Sequence, residues 1–147
     1  MSNRNDAALE IDEKGQVGCL CLNLQRAARA VARRFDEAFR PLGLTNGQFS
    51  LLMLLDHAEA PRIGAVAAFL AMDRTTLTAN LKPLERRGLL KITIDAADKR
   101  SRRLMLTRAG RALLAKALPL WRQTHRATER LIERDPDQLR ADLQALS

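Results

Sequence analysis

The chain has 147 residues, enough for one domain with helical extensions and a modest buried core. Its net charge of +8 and pI near 10.7 suit an anionic partner, of which nucleic acid is the commonest. An apolar fraction of 46% argues against disorder, and 3% aromatics with no Tyr argue against RNA and single-strand binders, which stack bases on aromatic platforms.

Residues 1–15 are polar and expected to fray. They hold no signal-peptide core, and no apolar run approaches a membrane span, so a cytoplasmic protein with reduced cysteines is expected. From about Val17 to Arg40 the apolar positions Leu20, Leu24, Ala28, Val31, Phe35 and Phe39 fall at helical spacing and predict one buried stripe. Pro41 and Gly43 end that helix. Thr45 and Gln48 fit a capping box, and the helix they start, Phe49 to Leu55, is apolar nearly all round.

After Pro61 a short apolar helix is expected over 62–71, with a turn at Met72-Asp73. Asp73 caps a second helix from Arg74, Pro83 inside it removes a hydrogen bond to Ala79 and should bend it, and Gly88 stops it. Leu90–Ile94 and Arg103–Thr107 alternate as paired strands around the polar loop from Asp95 to Arg102. Thr107 caps a long helix to about Glu133, kinked at Pro119. Asp135-Pro136 starts a last helix carrying Leu139, Leu143 and Leu146.

Helix, turn, helix, strand, basic tip and strand make a winged helix-turn-helix. The fold expected is mainly α with a small two- to three-stranded β wing. Residues 1–44 supply a tail and a dimerisation helix, 45–107 the DNA-binding region, and 108–147 C-terminal dimerisation helices, in one compact domain overall. On the second helix Leu77, Leu81 and Leu84 point to the core. That frees Arg74, Thr75, Thr76, Thr78, Asn80 and Lys82 for the major groove, where Arg reads guanine and Asn reads adenine through paired hydrogen bonds. Taken alone, the same helix is an ordinary amphipathic surface helix. In the loop, Lys99, Arg100, Arg102 and Arg103 crowd into five positions, and Arg100 at the tip suits a narrow minor groove. Asp98 repels phosphate, so it is expected to hold a neighbouring Arg, Arg100 above all, by a charge-assisted bond. The bland alternative is a solvated charged turn.

The run Asp98-Lys-Arg100-Ser-Arg-Arg-Leu-Met-Leu-Thr107 resembles the wing signature of the MarR regulators. Asp73-Arg-Thr-Thr-Leu-Thr with Leu84-Glu-Arg-Arg-Gly-Leu89, and Pro41-Leu-Gly-Leu-Thr45 with Gln48-Phe-Ser-Leu-Leu, resemble their recognition helix and first junction. The likeness runs from 17 to 132. It implies a homodimer with intertwined terminal helices, acting as a repressor that leaves its double-stranded DNA operator when a small organic effector or an oxidant arrives. Two Leu-rich terminal helices also call for a partner surface, and a two-fold dimer sets its recognition helices about 34 Å apart over a pseudo-palindrome.

Cys19 and Cys21, two apart on a helix, would face different ways and form no good disulfide with each other, and His57 and His125 lack zinc-ligand spacing. Small buried thiols are the plain expectation. Cys21 also stands 24 residues before Thr45, with Arg29 eight after it, which resembles the peroxide-sensing branch of the family. Tyrosines bond the sulfur in that branch. This chain has none, and Phe35 and Asn46 occupy two of the places. A possible effector or redox site is therefore Cys21, Cys19 and Arg29, with Arg29 or Arg33 as carboxylate anchors among Leu, Phe and Met. No phosphate loop, Ser/His/Asp arrangement or HExxH motif occurs, so neither an enzyme nor a cofactor or metal is expected. A thiol switch, or a winged helix used for protein contact, are the competing functions.

Overall fold

The structure, a computed structural model, describes residues 18–147; the expectations for residues 1–17 lie outside the described residues. Helix α1 runs Leu20–Phe39. Pro41 and the left-handed Gly43 (φ 62°) turn the chain through a short 3-10 segment, Arg40–Leu42. The Thr45 hydroxyl then accepts from Gln48 N–H (3.2 Å) while Gln48 Oε1 accepts from Thr45 N–H (3.1 Å), completing the expected capping box of α2, Asn46–Leu54. Asp36 of α1 takes the next free donor, Asn46 N–H, at 2.6 Å.

Helix α3 spans Ile63–Phe69, shorter than the sequence led us to expect. Met72 N–H reaches back to Ala67 O (2.9 Å) and Ala71 adopts φ 49°, so the turn begins at Leu70 rather than at Met72. Helix α4, Arg74–Arg86, is capped by Asp73 and buries Leu77, Leu81 and Leu84. Its end is closed by Gly88 (φ 69°), whose N–H bonds Glu85 O, while Leu89 N–H bonds Leu84 O.

Strands β1 (Leu90–Ile94) and β2 (Arg102–Leu106) pair antiparallel, Leu90 opposite Leu106 and Ile94 opposite Arg102. A third strand is reduced to one bridge, Arg62 to Arg103, supported by Leu104 N–H to Pro61 O at 3.0 Å. β2 ends one residue before the expected limit because Thr107 serves the next helix. Its hydroxyl donates to Gly88 O (2.6 Å) and accepts from Gly110 N–H (3.0 Å). Helix α5 spans Arg108–Glu129 and α6 Pro136–Gln144, the latter capped by Asp135.

The core joins α2, α4 and the sheet to the C-terminal half of α1 and to α5. Phe35, Phe39, Phe49 and Trp121 form a continuous ladder with centroid spacings of 6.1, 4.6 and 6.3 Å. The buried stripe expected along all of α1 is not seen within one chain. Only Phe35 and Phe39 are buried, Leu20 and Val31 are exposed, and α6 buries nothing. Amphipathic spacing marks a face as apolar but does not say what covers it.

Gly110 sets α5 against the sheet. A methyl group on it would overlap the Leu89 carbonyl oxygen and stand 2.7 Å from Leu106 Cδ1. Gly110→Ala should therefore cost about 1–3 kcal/mol through overpacking, a fall of several degrees in melting temperature. An unchanged melting curve by circular dichroism would show that this contact is slack.

Candidate nucleic-acid interface

Helix α4 sorts its side chains by the 100° step of the helix. Opposite the buried leucines lie Thr75, Ala79 and Lys82, and Arg86 continues that line. Arg74 and Thr78 flank it on one side, and all but Arg86 line a shallow groove. Thr76 and Asn80 flank it on the other. Asn80 lines a separate cleft of about 190 Å³ with Thr45, Gly47, Gln48 and Pro83, beside the start of α2.

Not every polar group here is uncommitted. Asp73 accepts from both the N–H and the hydroxyl of Thr76, at 2.8 and 2.7 Å. These two bonds, the backbone one first, hold its carboxyl below the usual carboxylate range. Thr78 donates its hydroxyl to Arg74 O (2.7 Å), and Asn80 Nδ2 approaches Met72 Sδ (3.6 Å). Of the six residues that the sequence offers on this helix, Arg74, Thr75 and Lys82 stand exposed with side chains outside these bonds.

The wing is built differently from expectation. Asp98 Oδ1 accepts from the backbone N–H of Arg100 (3.0 Å), so it shapes the loop rather than gripping a guanidinium. Arg102 folds back on the carbonyls of Lys99 and Ser101, both at 3.2 Å. Lys99 and Arg100 remain exposed at the tip.

The acid that grips arginines is Asp95, which the sequence did not single out. Its side chain is only 4% exposed. Oδ2 accepts from Arg62 Nε (2.8 Å) and Arg103 Nε (3.0 Å), and Oδ1 from Ala97 N–H (3.0 Å). Arg103 Nη1 also donates to Ala60 O (2.8 Å), so this arginine belongs to the wing root and not to the tip. The Ala97 N–H and then the two guanidiniums hold the Asp95 carboxyl below its ordinary value, against the upward push of burial.

Arg74 unites the two halves. Besides its groove on α4 it lines a cleft of about 250 Å³ with Arg62, Gly64, Ala65, Asp98, Arg100 and Ser101. Recognition helix and wing thus share one basic surface.

The possible effector residues lie elsewhere. Arg29 lines a depression of about 450 Å³ on α1 with Asn23, Arg26, Ala27, Ala30 and Arg33, and no Leu, Phe or Met lines it. Cys19 and Cys21 are exposed, which corrects the expectation of buried thiols. Cys19 is not on the helix either: it caps α1 in extended backbone, Sγ accepting from Leu22 N–H at 3.5 Å. Cys21 Sγ accepts from Gln25 Nε2 at 3.2 Å. Among the described residues no helix is long and apolar enough to cross a membrane.

Comparison with known proteins gives these features a setting. The MarR family model matches residues 44–101. The organic hydroperoxide resistance transcriptional regulator of Bacillus subtilis is 30% identical over 101 residues, 69% of each chain. The chain spans between 50% and 69% of the length of this and two further curated relatives. The transcriptional regulator MosR of M. tuberculosis, solved in complex with DNA, is 39% identical with a TM-score of 0.79, over 87% of this chain and 92% of that one. CouR from Rhodococcus jostii RHA1, solved with p-coumaroyl-CoA, is 26% identical with a TM-score of 0.76, over 90% and 94%.

The depressed Asp95 carboxyl fixes a pH dependence. Its ionised form is favoured by the fold, so the stability it adds is fully present above the ordinary value near 3.8 and is lost as pH falls through the lower folded value. Asp95→Asn should lower the urea midpoint at pH 7, and the gap to the parent should shrink on going to pH 3. A gap that stays constant would remove the carboxylate's charge from the account.

Proposed function

The chain belongs to the MarR family of DNA-binding transcriptional regulators, and from that premise we propose that it is a homodimeric repressor. It sits sequence-specifically on a pseudo-palindromic operator in the cytoplasm and leaves when a small organic effector binds. The observation that carries this reading is the basic surface joined through Arg74, from the groove of α4 to the cleft of the wing. A surface of that kind can meet base edges and phosphates of one duplex face together.

In this reading Arg74, Thr75 and Lys82 make the direct groove and phosphate contacts. Thr76, Thr78 and Asn80 flank them, with their present bonds orienting the helix start. Arg100 reaches the minor groove and Lys99 a backbone phosphate, Asp98 setting the backbone at Arg100 and Arg102 bracing the loop. The uncovered Leu20 and Val31 of α1 and Leu131, Leu143 and Leu146 near the C-terminus support a dimer in which α1 and the helices of 108–147 pair across the two-fold axis. Residues 45–107 are then the reading head of each subunit.

For the effector, Arg26, Arg29 and Arg33 around the α1 depression favour an organic anion such as an aromatic carboxylate, or a coenzyme A thioester whose phosphates carry the charge. The neighbour seen with p-coumaroyl-CoA lends that class support. Arg100→Ala should weaken operator binding at least tenfold in fluorescence anisotropy while sedimentation still gives a dimer. Full affinity in that variant would sink the wing assignment, and a monomer in the parent would sink the dimer.

A second reading, a thiol-based switch, is favoured by the exposure of both cysteines and the place of Cys19 at a helix start. The two readings separate in one titration. Release by an organic hydroperoxide that disappears in Cys21→Ser or Cys19→Ser supports the switch, and release by aromatic carboxylates that survives both substitutions supports the ligand.

A further inference from the structure

Arg62 belongs neither to the recognition helix nor to the wing, yet its side chain stands where they meet. It is the N-cap residue of α3 in extended backbone, and its bridge to Arg103 fixes that backbone against β2. Its Nε donates to Asp95 Oδ2 at 2.8 Å, but the side chain stays 48% exposed. Arg103, on the same oxygen, is tied a second time through Nη1 to Ala60 O. Arg62 has no such second tie among the described residues. Its two terminal amino groups are left for the cleft that it lines.

That cleft is charged and open. Arg62, Arg74 and Arg100 line it with Asp98, and Asp95 with Arg103 lies behind Arg62. Four guanidiniums against two carboxylates leave it doubly positive. Gly64 makes room for one of them, since a Cβ there would stand 2.8 Å from Arg74 Nη2.

We propose that this cleft seats a phosphate of the DNA backbone and that Arg62 contacts it, a contact additional to those of α4 and the wing tip. The inference rests on the DNA-binding reading above. A guanidinium held through Nε presents its terminal amino groups as a preset planar fork, which matches two phosphate oxygens and loses little freedom on binding. Because the walls come from α3, α4 and the wing, a backbone lying across all three is the ligand that fits, rather than a small free anion. The phosphate then also braces the Asp95 lock from outside.

The test uses the full-length protein and a duplex that the wild type selects from a random pool. Arg62→Met should weaken binding at low salt and flatten the log-log salt dependence by about one unit per half-site, since each neutralised phosphate adds about 0.9 to the slope. Arg103→Met breaks the Asp95 lock from the other side and should leave the slope unchanged. One methylphosphonate position per half-site should weaken the wild type and cost Arg62→Met nothing more. Equal slopes for wild type and Arg62→Met, or an equal loss of slope in Arg103→Met, would overturn the contact. So would inorganic phosphate, at constant ionic strength, erasing the difference between wild type and Arg62→Met. A wild type that selects no duplex would sink the DNA-binding reading itself, and this inference with it.

Discussion

Asp95 sits almost out of solvent with one oxygen shared by Arg62 and Arg103 and the other closed by Ala97 N–H, and the geometry of the wing follows from that arrangement. A buried carboxylate is tolerated only when charge and lone pairs are answered, so the acid depends on both guanidiniums and on the Ala97 N–H together. A two-stranded hairpin is marginal on its own. Here one end is fixed by Leu90, Leu104 and Leu106 in the core and the other by this acid, so the loop from Asp95 to Ser101 projects from a rigid base. Arg62 carries the same constraint to the start of α3.

Helix α4 shows a second division of labour, between holding and reading. Its leucines fix it to the core, and Asp73 with Thr76 fixes its first turn. Thr78 and Asn80 turn their donors inward to Arg74 O and Met72 Sδ. What remains for a partner is narrower than a count of polar residues implies, and Arg86 extends it along the same face.

Features set by neighbours in sequence were legible in advance. The capping box at Thr45 and Gln48, the Asp73 cap, the Gly88 stop and the buried triad Leu77, Leu81 and Leu84 each depend on residues within a few positions. The wing lock was not legible, because Arg62 and Asp95 are 33 positions apart and no local pattern links them. Two acids stand in the same loop, and only burial tells the one that binds arginines, Asp95, from the one that binds backbone, Asp98. Cys19 departs from expectation for a related reason: a spacing of two assumes a helix that in fact begins at Leu20. The early end of α3 likewise reflects Ala71 in a left-handed conformation, a state that its residue type does not advertise.

The single tryptophan has a consequence for how this molecule can be watched. Trp121 is stacked between Phe49, at 6.3 Å, and the His125 ring, at 4.7 Å, where α1, α2 and α5 converge. It is the only indole in the chain, and it lies at the seam between the winged helix and the terminal helices. The protein therefore carries an intrinsic optical reporter at that seam. Its emission registers any shift of α5 against α2 without a label and without interference from a second indole or from tyrosine.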